Sequence, residues 1–478
     1  MKICLSIAPR SNEEAIRMIH SERFTPDPIE VRVDGIRNLN LAKILRSHRA
    51  PVIITNRRVS EGGSFTGDAI EQFTLLSEAQ RLGADYIDCE LSWGKTMIRE
   101  LKTRAGRTKI IASYHNFREM PGNLENIYQR LRSTGADIVK LAVMASDITD
   151  NVRLFEVCKM ARADRQPVII IGMGKYGEIS RILAGKIGAT MTFASRTPKE
   201  STGPGQRTHD ELKNVFRTHT LNRRTKIFGL LGNPVTHSRG IYVHNALFNR
   251  KRINAVYVNF LVNDVGSFFT SFDDMVTGCS ITMPFKESVV DFVEHLDPQI
   301  ADLRVVNTII KRRNGWTGYN TDMPAMRELL RARIHLRGSR VLIVGTGGTA
   351  RTMAYTVLTS GAKATIVGRS SAKARAIADS LGCNSATIDD LPSLGCDVVM
   401  NATPLGMNST RRGPGHATMP VPGNFLRRRM LVFDAVYTAS QTPLISVARQ
   451  HGCTTITGDA FFDRQAVLQS KLFMSCFR

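Results

Sequence analysis

The sequence has no Cys-x-x-Cys pair, no His-Glu-x-x-His, no uninterrupted apolar run of ~18 residues and no basic tail. Without paired spacing, the eight scattered cysteines read as free thiols of a reducing compartment, and a disulfide scaffold is excluded. The histidines lack zinc-ligand spacing, so no metal is expected. The missing apolar run excludes a helical membrane span. MKICLSIAPR is broken by Pro9 and Arg10 too early for a secretory signal, so a cytoplasmic protein is expected. Acidic residues are scarce, 42 against 65 Lys and Arg, for a net charge of +23. That excess is spread along the chain without an RNA- or DNA-binding motif. The expected partners are small carboxylates and phosphates, and neither nucleic acid nor membrane. With 478 residues, 42% of them hydrophobic, the chain has material for roughly two to four domains.

What is present first is a rhythm. Short β-branched runs recur at 3–7, 29–34, 51–56, 86–91, 109–115, 137–144, 167–173 and 189–195, with helical periodicity between them, as at 69–82 and 124–133. Eight such strands with crossover helices predict a (β/α)8 TIM barrel, leaner than the usual ~250 residues; an open doubly wound sheet is the other arrangement of the same pattern. Polar residues intrude on these strands. Glu30-Val-Arg32-Val-Asp34 and Asp88-Cys-Glu90 alternate charge with apolar residues, which puts each set on one face. Arg57, Glu61, His115, Lys140 and Arg181 fall near the C-terminal strand ends, where barrel sites form. Lys140 sits inside the apolar strand DIVKLAVM. Desolvation and neighbouring Arg32, Arg57 and Arg181 are expected to favour its neutral amine, the form that attacks a ketone. His115 is the matching acid/base candidate.

These motifs, with Arg57-x-x-x-Glu61-Gly62-Gly63, Ala142-Val143-Met144, Ile179-Ser180-Arg181, Phe193 and Pro204-Gly205-Gln206, resemble type I 3-dehydroquinate dehydratase over nearly all of 1–210. The resemblance implies a Schiff base at Lys140 and proton relay by His115, positioned by Glu61. It also implies that Arg181 holds the substrate carboxylate, that Glu30, Arg32 and Arg57 line the pocket, and that Gln206 and Thr202 close over it. Thr202 stands where that family usually has serine.

The polar stretch 207–226 reads as a last barrel helix and linker, after which a new α/β pattern starts. A strand at 340–344 runs into Gly345-Thr-Gly347-Gly348-Thr349-Ala350 and a helix, the order that presents amide groups to a pyrophosphate. The following strand ends in Gly368-Arg369-Ser370-Ser371, with Lys373 beyond. Where an NAD site has an acid, these cations suit a 2′-phosphate, and NADP is the expected cofactor. Lys286, in Thr282-Met-Pro284-Phe-Lys286, and Asp322, in Asn320-Thr321-Asp322, could shuttle a proton beside hydride transfer; taken alone they could equally form an ordinary salt bridge.

Together with Gly232-Asn233-Pro234-x-x-His237-Ser238, His244-Asn245, Asn307, Asn401-Ala402-Thr403-Pro404, Asp434-x-x-Tyr437 and Gln465, these motifs resemble shikimate dehydrogenase across 227–473. By that resemblance Lys286 and Asp322 are the catalytic pair. Ser238, Thr282, Asn307, Tyr437 and Gln465 contact substrate, and Gly345, Gly347, Gly348, Thr349, Ala350, Arg369, Lys373, Asn401 and Thr403 hold NADP. Two departures stand out: Gly240 replaces a second loop serine, and Ala460-Phe461-Phe462 replaces Gly-Met-Leu/Phe. They leave shikimate and quinate both as candidate substrates. The expected organisation is a barrel over 1–215, a linker over 216–226, a substrate lobe over 227–325 rejoined by 459–478, and a Rossmann NADP domain over 326–458. The expected activity is dehydration of 3-dehydroquinate, then NADPH-dependent reduction of 3-dehydroshikimate. Two other readings share parts of the pattern: a class I aldolase-like barrel fused to a quinate/shikimate dehydrogenase, and a non-catalytic NADP-binding protein.

Overall fold

The computed structural model describes residues 1–21, 27–46, 50–104, 106–236, 238–407, 419–437 and 441–477. His237 of the loop motif lies outside them. The chain forms two units, Met1–Ile227 with Asn245–Met275, and Phe228–His244 with Val276–Arg478.

The first unit carries β1 (Lys2–Ile7), β2 (Ile29–Arg32), β3 (Val52–Thr55), β4 (Tyr86–Glu90), β5 (Lys109–Asn116), β6 (Ile138–Met144), β7 (Val168–Met173) and β8 (Met191–Ala194). They form one sheet in the order β7-β6-β5-β4-β3-β2-β1-β8. Every pair along it is parallel. The Thr190 amide donates to the Val168 carbonyl at 2.8 Å and draws the two ends together, so the expected TIM barrel is nearly closed. Period two sorts the side chains. Cys4, Ile53, Tyr86, Ile111 and Ile138 help fill an apolar floor inside. Two residues further along the same strands come Ser6, Thr55, Asp88, Ser113 and Lys140, all buried. The same five strands thus build a dry floor and a polar upper chamber.

The last helix expected within 207–226 is short and of the wide π type, Glu211–Val215, and a 3-10 turn, Thr218–Thr220, follows it. Leu212 and Phe216 are buried there, four residues apart, which seats a single turn. Arg207, paired with Glu178 and Glu211, pins its start.

In the second unit β9 (Lys226–Gly232), β11 (Val276–Ile281), β13 (Thr308–Arg312), β14 (Gly315–Tyr319) and β12 (His295–Leu296) follow one another across a mixed sheet; β10 (Ala255–Leu261) is counted with the first unit. A second sheet holds β15 (Arg340–Val344), β16 (Lys363–Val367), β17 (Asn384–Ala386), β18 (Val398–Asn401), β19 (Leu431–Asp434) and β20 (Thr454–Ile456). Its order is β17-β16-β15-β18-β19-β20, parallel throughout. Val341 and Ile343 pack into the core on one face, Leu342 and Val344 on the other. Strand order reverses between β15 and β18, which opens a crevice at their C-terminal ends. Among the described residues no helix is long and apolar enough to cross a membrane.

His244, buried in the helix Gly240–Arg250, contacts Ser470 Oγ at 3.1 Å and the edge of Phe473. Burial lowers it from 6.5 to about 3. Its neutral form is therefore the folded one, and its share of stability is complete above pH 6.5. That share declines as pH falls, until the folded imidazole itself protonates near pH 3. The expected loss is up to about 1.4 kcal/mol per pH unit inside that window. Urea midpoints measured against pH should show this slope in the parent chain and a flatter one in His244→Gln.

Candidate active sites

Glu30, Arg32, Arg57, Glu61, His115, Lys140, Arg181, Thr202 and Gln206 all line one cavity at the C-terminal mouth of the barrel. Lys140 enters from β6, with its side chain 5% exposed. Its Nζ donates to Asp88 at 3.0 Å, lies 3.5 Å from Glu30 and sits 4.2 Å over the Phe193 ring. The cations expected beside it are not its direct partners; two carboxylates are. Arg57 is the reason these acids are tolerated. Its guanidinium meets Asp88 at 2.8 Å, Glu90 at 3.3 Å, Ser113 Oγ at 3.0 Å and Glu61 at 3.6 Å. Burial alone would push the Asp88 carboxyl up, but Arg57 and then Lys140 outweigh it and hold Asp88 well below the usual carboxylate range.

His115, on β5, has its Nδ1 3.0 Å from Glu61 Oε2. Burial, with Arg57 and Lys140 near, lowers the imidazole well below 6.5, so it rests neutral. Burial pushes Glu61 up to about 8, a rise that Arg57 only partly opposes and that Glu90 and Asp88 reinforce. The pair is built to hold a proton close to neutrality. Arg181 differs from the other cations. It is buried, donates only to the carbonyls of Phe193 (3.4 Å) and Pro204 (3.3 Å), and its Nε has no partner. Burial lowers it to about 10. A buried guanidinium without an ion pair suits an anionic ligand. Arg32 is instead clamped by Asp34 at 2.7 and 2.8 Å.

Thr202 and Gln206 bridge the mouth: Gln206 Oε1 accepts from the Thr202 amide at 2.8 Å, and Thr202 Oγ1 lies 2.9 Å from Ser6 Oγ, which donates to Glu30. Sequence reasoning gave Ser6 no role. The signal was its place two residues after Cys4, on the inward face of β1. The loop carrying Arg57 and Glu61 folds back on itself, with Phe65 N–H donating to Arg57 O at 3.0 Å. A Cβ on Gly63 would stand 1.9 Å from that same oxygen. Gly63→Ala must therefore spring the loop and shift both side chains. Turnover at this site, measured as kcat/KM, should fall roughly 10²-fold, the scale of a 1 Å misplacement.

In the second unit Lys286 Nζ donates to Asp322 Oδ2 at 2.6 Å and approaches Thr349 Oγ1 at 3.4 Å. Asp322 opens the helix Asp322–Arg331, whose entry is held by Asn320 Oδ1 accepting from the Met323 amide at 2.9 Å. Asn307 donates to Thr321 Oγ1 at 2.9 Å and accepts from the Thr321 amide at 2.8 Å; Gln465 Oε1 reaches the same hydroxyl at 3.4 Å. Thr282 N–H donates to Leu231 O at 2.9 Å, and its methyl packs on Gly232. Burial raises the Tyr437 phenol, while a hydrogen bond with Ser238 opposes the rise and the Asp322 charge adds to it. Tyr437 stacks on Phe462 at 4.7 Å.

Gly345, Gly347, Arg369, Lys373 and Thr403 line a cavity of about 1090 Å³ at the crevice. A Cβ on Gly347 would meet nothing within 4 Å, while one on Gly348 would stand 3.1 Å from Lys286 Cβ, so the glycine loop passes close to the Lys286–Asp322 pair. Ala350 packs in the core behind the cavity. Asn401 is wholly buried, accepts from the Thr403 amide (2.9 Å) and hydroxyl (2.7 Å), and so acts on the wall from behind. Neither Arg369 nor Lys373 has a carboxylate within salt-bridge range among the described residues, and no acid stands at the end of β16. A glycine facing open space and two cations without an ion pair among the described residues fit a phosphorylated dinucleotide. Among the described residues no group of three His, Cys, Asp or Glu is placed to hold a metal ion.

Three family models match the chain: type I 3-dehydroquinase over 3–223, the shikimate dehydrogenase substrate binding domain over 230–309, and shikimate/quinate 5-dehydrogenase over 328–408. The bifunctional 3-dehydroquinate dehydratase/shikimate dehydrogenase of Arabidopsis thaliana is 33% identical over 98% of this chain and 81% of its own length. The NADP(+) shikimate dehydrogenase of Pyrococcus abyssi is 35% identical over 49% of this chain and 86% of its own. The solved dehydroquinate dehydratase and shikimate dehydrogenase of S. pombe AroM is 25% identical, covering 98% of this chain and 95% of that one, with a TM-score of 0.42.

Proposed function

The chain belongs to the bifunctional 3-dehydroquinate dehydratase/shikimate dehydrogenase family, and on that premise we propose how its own residues carry two consecutive steps. It is a lyase and an oxidoreductase of the shikimate pathway: 3-dehydroquinate loses water to give 3-dehydroshikimate, which is reduced to shikimate with NADPH. We assign the first step to 1–215, with 216–226 as linker. We assign substrate binding in the second step to 227–325 with 459–478, and NADP binding to 326–458. The eight free cysteines suit a reducing compartment such as the cytoplasm.

The dehydratase reading is carried by one observation, a buried amine sharing a cavity with a neutral imidazole. Lys140 Nζ attacks the ring ketone and the carbinolamine loses water, leaving an imine. The imine makes the adjacent C–H acidic. His115 removes that proton and returns it to the departing hydroxyl, which leaves as water; hydrolysis of the imine then frees the product and restores the amine. Glu61 orients the imidazole through Nδ1. Arg181 holds the carboxylate, and Thr202 with Gln206 closes the mouth. Glu30, Arg32 and Arg57 set the walls.

In the reductase the bound NADPH supplies a hydride. Lys286 delivers a proton to the ketone oxygen as charge develops there, and Asp322 holds the ammonium in line. Ser238, Thr282, Asn307, Tyr437 and Gln465 orient the substrate. Gly345, Gly347, Gly348, Thr349, Ala350, Asn401 and Thr403 shape the nucleotide seat, with Arg369 and Lys373 at the 2′-phosphate.

The test is a single-chain assay in which 3-dehydroquinate drives NADPH oxidation, with shikimate and quinate compared in reverse. Borohydride trapping at Lys140 only with an aldol substrate, or no turnover, would overturn the reading. Arg369→Ala should raise KM for NADPH by roughly 10–100-fold, the worth of charged hydrogen bonds, and leave KM for NADH nearly unchanged. Equal effects would refute the cofactor assignment.

A further inference from the structure

The motif Asp434-x-x-Tyr437 contains a carboxylate that the mechanism does not use. Asp434 ends β19 fully buried, and no cation pairs with it among the described residues. Burial raises its carboxyl above the ordinary value, and only neutral donors from Thr442, Val436 and Asn401 oppose the rise. Burying an acid without a counter-charge costs stability that only hydrogen bonds offset, so which groups donate to it matters.

Its bonds run in two directions. One oxygen, Oδ1, accepts from Asn401 Nδ2 at 2.9 Å and from the Val436 amide at 3.1 Å. The first bond leads to the nucleotide cavity, because Asn401 fixes Thr403, and Thr403 with Ala402, Pro404 and Leu405 forms its wall. The second leads toward the substrate, because Val436 precedes Tyr437, which stacks on Phe462. Backbone at Val436 has no room to drift: a Cβ on Gly458 would lie 2.0 Å from its carbonyl oxygen. Among the described residues the other oxygen, Oδ2, accepts only from Thr442 Oγ1, which also caps the helix Pro443–Gln450.

We propose that Asp434 is a positioning residue that sets the nucleotide wall and the substrate tyrosine together through its Oδ1 atom. This rests on the reductase reading above. Asp434→Asn should raise KM for NADPH and for 3-dehydroshikimate together, each roughly tenfold, with kcat within about threefold and dehydratase activity unchanged. Thr442→Val removes the Oδ2 partner and a helix cap; it should lower thermal stability but leave both constants in place. Asn401→Ser cuts the nucleotide side alone and should raise only KM for NADPH. The proposal is overturned if Asp434→Asn moves one constant or neither, or if Thr442→Val raises both as much. Should Asp434→Asn fail to fold, Asn401→Ser still decides: a rise in both constants, or in neither, refutes the coupling. A parent chain without reductase activity would instead sink the functional reading on which this stands.

Discussion

Lys140→Ala abolishes dehydration of 3-dehydroquinate, by roughly 10⁵-fold or more, while shikimate oxidation keeps its parent rate. The effect is this large because no other amine lines the barrel cavity: its remaining cations are Arg32, Arg57 and Arg181, which form no imine. Removing the ammonium also leaves Glu30 short of a counter-charge and Asp88 dependent on Arg57, so the alanine variant should lose stability, by up to about 3–5 kcal/mol. Lys140→Arg separates the two consequences. It retains charge among the carboxylates, should hold the thermal midpoint closer to the parent value, and should still be inactive. Borohydride reduction with 3-dehydroquinate should add mass at Lys140 in the parent chain and none in either variant. A folded Lys140→Ala chain that still dehydrates its substrate would remove the Schiff base from the account, and loss of both activities would refute independent sites.

Lys286→Met is expected to lower kcat for shikimate oxidation by about 10²–10⁴-fold, with KM changed much less. The side chain is partly buried and points its Nζ at Asp322 across 2.6 Å. Its contribution is greatest when negative charge builds on the substrate oxygen, a condition met only at the transition state. Methionine keeps the apolar stem and deletes the proton. A rise in KM with unchanged kcat would reassign Lys286 to binding alone.

The barrel was legible because its two determinants are local. β-Branched runs mark the strands to within two residues, and a strand's period of two tells which residues share its interior. Lys140 and His115 could be assigned to one chamber on that ground alone. What spacing could not provide was which charges touch. Arg57 comes from the loop after β3, Asp88 from the adjoining β4 and Lys140 from β6, and only the paired, curved sheet brings the three together, so carboxylates rather than arginines meet the Lys140 amine. Asn401 illustrates the same limit. The resemblance alone marked it as a cofactor residue, and spacing gave no sign that its side chain bonds Thr403 and also Asp434, 33 positions away. The helix at Glu211–Val215 was expected, but not its wide form: it is tied down by Arg207 bridging to Glu178, a partner outside the segment.

Arg181 gives the barrel chamber an electrical asymmetry. Among the described residues of that chamber, the other cations each touch a carboxylate, while its guanidinium has backbone oxygens only. On the assignment proposed above, a visiting molecule would complete the balance by bringing its acid group to that end, leaving its ketone to face the amine. A cyclic ketone stripped of its acid could still enter, yet nothing would tell it which way round to lie.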